Sequence, residues 1–203
     1  MTPELRDGDG HAALKRVALI VALLNLGYFG VEATVAAMIA SVALFADSVD
    51  FLEDATVNLL VMVALGWSAA RRKWVGMALA GLLLVPGIAA LWTAADKLLS
   101  ASATVPDAVP LTLTGLGALA VNATAALLLA RVRHHGGSLG LAAFLTARND
   151  VIANLAIIAA GFATAATQSI WPDLVVGIGI ALLNLGAAHE VYEAAIEPGE
   201  LRA

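Results

Sequence analysis

The chain has no cysteine, few aromatic residues and little charge. Of its 203 residues, 5% are aromatic and 13% are charged. The absence of cysteine excludes disulfides and thiolate metal sites. The net charge of -5 argues against a nucleic-acid partner. Apolar residues, in contrast, make up 61% of the chain, and the mean hydropathy is +0.88. A soluble domain of this length cannot bury so much apolar surface, so the composition predicts an integral membrane protein.

Six apolar stretches are long enough to span a bilayer, which takes roughly 20 residues per helix. They cover residues 14–38, 42–69, 74–100, 109–132, 139–164 and 172–195. Basic, proline-containing or glycine-containing segments separate them, among them residues 71–73, Pro106 and residues 134–137. The sequence therefore predicts an all-α membrane protein with one six-helix domain over residues 14–196. Residues 1–13 and 197–203 are expected to be short cytoplasmic tails.

The distribution of basic residues predicts the orientation, because cytoplasmic loops are enriched in Lys and Arg. With both termini in the cytoplasm, the inner side receives nine basic residues: Arg6, Lys15, Arg16, Arg71, Arg72, Lys73, Arg131, Arg133 and Arg202. Only Lys97 then lies near the outer side, and Arg148 lies within a span. The opposite orientation reverses this bias, so we predict the N-in and C-in arrangement.

Two of the predicted helices carry a polar stripe with a spacing of four residues. The stripe on the second helix consists of Asp50, Asp54 and Asn58, and that on the fifth of Thr146, Asp150 and Asn154. Residues four apart lie on the same helix face. Thr and Asn side chains also serve as ordinary hydrogen-bond contacts between membrane helices. Ionised carboxylates are costly within a bilayer, however, so the three aspartates predict a site for a cation, a proton or both.

These residues also resemble those of a known family, the cation diffusion facilitators. Glu32 is followed nine residues later by Ser41, and then by the run Ala43-Leu44-Phe45-Ala46-Asp47-Ser48. The family has a His or Asp followed four residues later by an Asp. Asp50 and Asp54 occupy these two positions. The later matches are Asn122, Ala142-Ala143-Phe144, Asp150, Trp171, Asp173 and Gly177. They follow one another in the family's order along the whole chain.

The resemblance implies a metal site with two residues from the second helix and two from the fifth. Position by position these are Asp50, Asp54, Thr146 and Asp150. The family usually has His or Asp at the position of Thr146, and a neutral hydroxyl is a poor zinc ligand. Asn149 is a candidate for an additional oxygen ligand. The resemblance favours Zn²⁺ as the transported ion, although an oxygen-only site leaves Mn²⁺, Fe²⁺, Co²⁺ and Cd²⁺ open. No tightly bound cofactor is expected.

Several neighbouring residues allow two interpretations each. Arg148 is expected to pair with Glu53 or Glu32, as a structural ion pair or as part of a gate. Asp47 is expected to cap the second helix or to line the exit path. His134 and His135 are either an exposed turn or a collecting point for metal in the inner loop.

The chemistry predicted for such a site is exchange of a metal ion for protons. Repulsion between three carboxylates and their burial both favour the protonated form, so at least one aspartate is expected to bind a proton when the metal leaves. The expected function is efflux of a divalent metal ion, with Zn²⁺/H⁺ antiport as the favoured form. The expected location is the lipid bilayer of a bacterial inner membrane. The family's cytoplasmic C-terminal domain is expected to be missing, which leaves helix contacts to hold a homodimer.

Two other functional classes compete with transport. A membrane interaction or regulatory protein that keeps the fold without transport is motivated by Thr146 and Arg148. An intramembrane aspartyl protease requires Tyr-Asp on one helix and Gly-x-Gly-Asp on another, and neither motif occurs around the three aspartates. The chain is therefore not expected to be an enzyme.

Overall fold

A computed structural model of the chain describes residues 3–64, 74, 81, 88–99, 103–132 and 137–196. Within the helices it leaves out the side chains of residues 3–11, 60–61, 63–64, 137–146, 148, 184, 187–188 and 190–196. Several predicted features lie outside the described residues: the basic run 71–73, Pro86, His134, His135 and the tail 197–203. The same holds for the side chains of Thr146 and Arg148.

In the described part of the chain, every regular element is an α-helix. The helices are α1 (Pro3–Ile39), α2 (Val42–Ala64), α4 (Ala108–Val132), α5 (Gly137–Thr167) and α6 (Trp171–Ile196), and α3 is described over residues 88–99. The all-helical prediction is thus confirmed. The end of α1, the start of α2 and both ends of α4, α5 and α6 lie within three residues of the predicted ones. The start of α1 differs, because Pro3 already begins the helix. Most of the predicted N-terminal tail is therefore helical.

The distribution of polar and apolar side chains is that of a membrane protein. Three described stretches are long and apolar enough to cross a bilayer, namely Ala12–Ile39, Ala108–Val132 and Asn149–Thr167, and Trp171–Leu183 is a shorter apolar stretch. Large apolar side chains such as Leu127 and Phe162, both 65% exposed, point outward, whereas many polar side chains are buried. Lipid rather than water is the solvent that suits such a surface.

The central position in the bundle belongs to α2, which contacts α1, α4, α5 and α6. Small residues allow the helices to approach closely, as is usual between membrane helices. The largest buried cluster is rich in alanine and includes Ala36, Ala43, Ala46 and Ala181. At Gly177 of α6, a Cβ atom would lie 2.6 Å from the backbone nitrogen of Ala43. Only glycine therefore permits this contact between α6 and the start of α2.

The start of α2 is held by a buried polar junction at the turn from α1. Ala40 adopts a left-handed conformation with φ of 52°, which ends α1 and sends the chain into α2. Ser41 begins the next turn, and its hydroxyl accepts a hydrogen bond from the N–H of Leu44 at 3.1 Å. Asp173 of α6 accepts hydrogen bonds from the Ser41 hydroxyl and from the backbone N–H groups of Val42 and Ala43.

A lysine completes this junction. Lys97 of α3 donates to the carbonyl oxygen of Ala40 at 2.6 Å and forms an ion pair with Asp173 at 3.1 Å. Three helices and the α1–α2 turn thus meet at one ionic contact, which fixes where α2 begins. Because this contact fixes the start of α2, it also fixes how deep in the bundle the carboxylates farther along α2 lie.

Candidate cation site between α2 and α5

The polar face of α2 lies inside the bundle, as the spacing of its aspartates predicts. Asp54 is 4% exposed, and Asp50 is partly exposed. Asn58, one turn beyond Asp54, is buried and donates a hydrogen bond to the backbone carbonyl of Asp54 at 2.8 Å. Asn58 therefore acts within its own helix, and its Oδ1 atom is buried without a donor.

The carboxyl groups of Asp54 and Asp150 meet across the interface between α2 and α5. They lie within hydrogen-bond reach of each other, and Asp150 is 9% exposed. Asp50 lies close enough to Asp150 for the two charges to interact. Two ionised carboxylates in such contact repel strongly away from water, so the pair requires a proton or a cation between its oxygens.

A residue of α1, which was not among the predicted site residues, completes this site. Asn25 is fully buried and donates from Nδ2 to Oδ2 of Asp54 at 3.2 Å. Its own carbonyl oxygen, Oδ1, is buried without a donor, as is Oδ2 of Asp150. The site therefore has a surplus of acceptor oxygens, which is the chemistry that accommodates a hard or borderline cation. The sequence feature that could have indicated Asn25 is its position seven residues before Glu32, on the same face of an apolar helix.

The surroundings of the other two predicted ligands are described only in part. Asn149 is exposed on α5, about 100° around the helix from Asp150. Thr146 occupies α5 one turn before Asp150, but its side chain lies outside the description. Among the described side chains, no group of three His, Cys, Asp or Glu residues is arranged to hold a metal ion. The observed core of the site is accordingly the Asp54–Asp150 pair with Asp50 and Asn25 beside it.

A second polar network lies next to this pair. Asn122 of α4 donates to Oδ1 of Asn154 at 3.1 Å, and Asn154 of α5 donates to Oδ2 of Asp47 at 2.8 Å. Asp47 in turn lies within hydrogen-bond reach of Glu32 on α1. The capping interpretation of Asp47 is wrong, because Ser41 and Asp173 cap α2. The separate expectation that Glu32 pairs with Arg148 is not tested by the described side chains.

Comparison with known proteins identifies the fold that carries this site. The model of the cation efflux transmembrane domain matches residues 18–195, which is most of the chain. No curated protein matches the chain in a sequence search. Members of the matched family are membrane transporters of divalent metal cations rather than enzymes. With buried carboxylates on its central helix and an outer surface suited to lipid, the chain belongs to the cation efflux family of integral membrane transporters.

Proposed function

We propose that this protein exports a divalent metal cation, with Zn²⁺ as the first candidate, in exchange for protons. The site is formed by Asp50 and Asp54 of α2 and Asp150 of α5. In this proposal six helices cross a bacterial inner membrane with both termini in the cytoplasm, and helix contacts hold two copies together.

The observation that carries the proposal is the contact between Asp54 and Asp150 in the bundle interior. The two carboxyl groups come from different helices, and Asn25 fixes one of them while leaving acceptor oxygens free. A divalent cation neutralises both carboxylates at once. Protons compete for the same oxygens, because a ligand must be deprotonated before it binds metal. This competition supplies the physical basis for an exchange of metal against protons.

The choice of metal follows from the oxygen-rich ligand set. Imidazole and thiolate ligands favour zinc, whereas carboxylate and carbonyl oxygens also suit Mn²⁺. The general affinity order still places Zn²⁺ above Mn²⁺ and Fe²⁺ for a given set of ligands. Thr146 and Asn149 remain candidates for additional neutral oxygen ligands, either directly or through water.

The proposal is tested by transport into proteoliposomes that contain a metal-sensitive dye and an acidic lumen. Wild-type protein should accumulate Zn²⁺ at a rate that increases with the imposed pH difference. Asp54→Asn and Asp150→Asn should reduce the flux to that of empty liposomes, because each removes a charge that compensates the ion. Asp96→Asn is a matched control, since Asp96 is exposed on α3. A wild-type flux that ignores the pH difference, or full flux in both site variants, would contradict the proposal.

A second candidate function is that of a membrane interaction or regulatory protein that retains the fold without transport. The described side chains favour it in one respect, since they do not include three metal-binding groups arranged around one point. Thr146 at a position where the family usually has a ligand points the same way. The same liposome measurement separates the two functions, because a regulatory protein gives no flux for any metal in a Zn²⁺, Mn²⁺, Fe²⁺, Co²⁺ and Cd²⁺ panel.

A further inference from the structure

A second pair of carboxyl groups lies beside the candidate cation site. Glu32 of α1 and Asp47 of α2 are both fully buried, and their side chains lie within hydrogen-bond reach of each other. The hydrogen bond described for this pair is the one that Asn154 donates to Asp47. We call these two residues the Glu32–Asp47 pair.

The pair has oxygens that lack a donor. Both carboxyl oxygens of Glu32 and Oδ1 of Asp47 are buried without a hydrogen-bond donor, and only Oδ2 of Asp47 receives one, from Asn154. The buried cation Lys97 is already paired with Asp173. Buried polar atoms are rarely left unpaired, and a fully buried pair of negative charges is more unfavourable still. Something positive must therefore bind between these oxygens.

A proton satisfies the pair better than a metal ion does. Structural zinc takes four ligands and calcium takes six to eight oxygens, whereas three free oxygens from two side chains are available here. Two carboxyl groups in contact away from water share one proton, because both cannot be ionised at that distance. The shared proton converts one unpaired oxygen into a donor and satisfies another as its acceptor.

We propose that the Glu32–Asp47 pair is a second binding site for a transported proton, in addition to the oxygens of Asp54 and Asp150 at which protons compete with the metal. This inference rests on the proposed antiport function. The pair gains one proton from the outer solution and releases the same proton to the cytoplasm, so that no other reactant is needed.

The geometry also provides a connection between proton and metal. Asn154, the hydrogen-bond donor to Asp47, lies one helical turn after Asp150 on α5. Asp47 lies two turns before Asp54 on α2. A cation that draws Asp150 toward Asp54 therefore acts on the same two helices that the Asn154–Asp47 hydrogen bond joins. Asn122 holds the amide of Asn154 in place from α4.

Other titratable groups face the pair from the packed helices, and they define the controls. The titratable groups that interact electrostatically with Glu32 or Asp47 are Tyr28 on α1, Asp50 and Asp54 on α2, and Asp150 on α5. From α4 the described contribution is the amide of Asn122. Tyr28 donates its hydroxyl hydrogen to the carbonyl of Thr114 at 2.6 Å, so a Tyr28→Phe variant tests a neighbour that does not hold the proton.

The first test detects the proton without relying on transport. Infrared spectra of the purified protein at neutral pH should contain the carbonyl-stretch band of a protonated carboxyl group. In Glu32→Gln and in Asp47→Asn, part of this band should be lost, whereas Tyr28→Phe should keep the wild-type band. An unchanged band in both variants would overturn the inference. Size-exclusion profiles identify a variant that fails to fold, and Glu32→Asp, which retains a carboxyl group, should keep the band.

The second test separates the pair from the metal site. Glu32→Gln and Asp47→Asn should bind Zn²⁺ as tightly as wild type in calorimetry, but a pH difference should stimulate their flux less than it stimulates that of wild type. Loss of Zn²⁺ affinity in these variants would overturn the inference, because it would make the pair a metal subsite. Stimulation equal to that of wild type would also overturn it and would leave the transporter proposal intact. Absence of flux in the wild type would instead contradict the proposed function.

Discussion

Removal of the Asp173 charge should strongly destabilise the fold, because this carboxylate anchors the start of α2. It is fully buried and accepts four hydrogen bonds: from the Ser41 hydroxyl at 2.5 Å, from the N–H groups of Val42 and Ala43 at 3.0 and 3.2 Å, and from Lys97 at 3.1 Å. Asp173→Asn keeps the shape of the side chain but replaces one acceptor oxygen by an NH₂ group. The new amide then faces donors on both sides.

The size of the effect follows from the burial of Lys97, whose exposed fraction is 7%. In Asp173→Asn, the ammonium group retains the Ala40 carbonyl but loses its counter-charge. Removal of one partner from a buried ion pair costs about 3–5 kcal/mol. Lys97→Met should cost less, about 1–3 kcal/mol, since Asp173 keeps three donors and the positive end of α2. The double variant should lose less than the sum of the two single losses, because the pair is then absent altogether.

The measurement is the free energy of unfolding in mixed detergent micelles titrated with sodium dodecyl sulfate, followed by the fluorescence of the four tryptophans. Asp96→Asn is the matched control and should lie within about 0.5 kcal/mol of wild type, because Asp96 is exposed beside Lys97 on the same helix. If Asp173→Asn unfolds at the same detergent fraction as this control, the anchoring role of the junction is wrong. Equal losses in the two single variants, with a strictly additive double variant, would show that the ion pair does not couple them.

Three further predictions concern topology, the cation site and helix packing. Since the chain is free of cysteine, a single Thr104→Cys should react with a membrane-impermeant maleimide added to intact cells, and a single His135→Cys should react only after lysis. Asn25→Leu should weaken Zn²⁺ binding by about 10–100-fold in calorimetry, the usual effect of losing a group that orients a ligand, here Asp54. Gly177→Ala should lower the unfolding free energy by about 1–3 kcal/mol, because its methyl group would overlap the backbone at the start of α2.

Each of these predictions has a control and a contrary result. Labelling of the His135→Cys variant in intact cells, with Thr104→Cys protected, would reverse the proposed orientation. Zn²⁺ affinity in Asn25→Leu equal to that in the exposed-site variant Thr34→Leu would remove Asn25 from the site. Gly179→Ala, where a Cβ atom meets nothing within 4 Å, should leave stability near that of wild type. Equal effects at the two glycines would argue against close packing of α6 on α2.

The helices could be predicted closely because their ends are encoded locally. Prolines open α4 and α6 at their first turns, where the missing N–H is tolerated, and the apolar stretches have the length that a bilayer imposes. The burial of Asp54 and Asp150 could be predicted as well, since carboxylates on otherwise apolar helices must face the interior. The Asp54–Asp150 contact follows from the two stripes once their helices are adjacent.

The contacts made by the other polar residues depend on helix rotation and register, which a single sequence does not encode locally. The position of Asp47 in the sequence does not reveal which group its side chain contacts. The packing of α5 against α2 brings Asn154 to it. Asn25 gives no signal by itself, because asparagine is an ordinary contact between membrane helices. The exposure of Asn149 could have been inferred, since adjacent residues on a helix face directions about 100° apart.

Calorimetric titration of the purified wild type and of Asp150→Ala with Zn²⁺ and Mn²⁺ is the most direct test of the cation site. We expect the wild type to bind one metal ion per site saturably, and Zn²⁺ more tightly than Mn²⁺, and we expect Asp150→Ala to lose that binding. Asp107→Ala, at an exposed aspartate before α4, should bind as the wild type does. A folded wild type that binds neither metal, or an Asp150→Ala variant with undiminished affinity, would contradict the assignment of the cation site to α2 and α5.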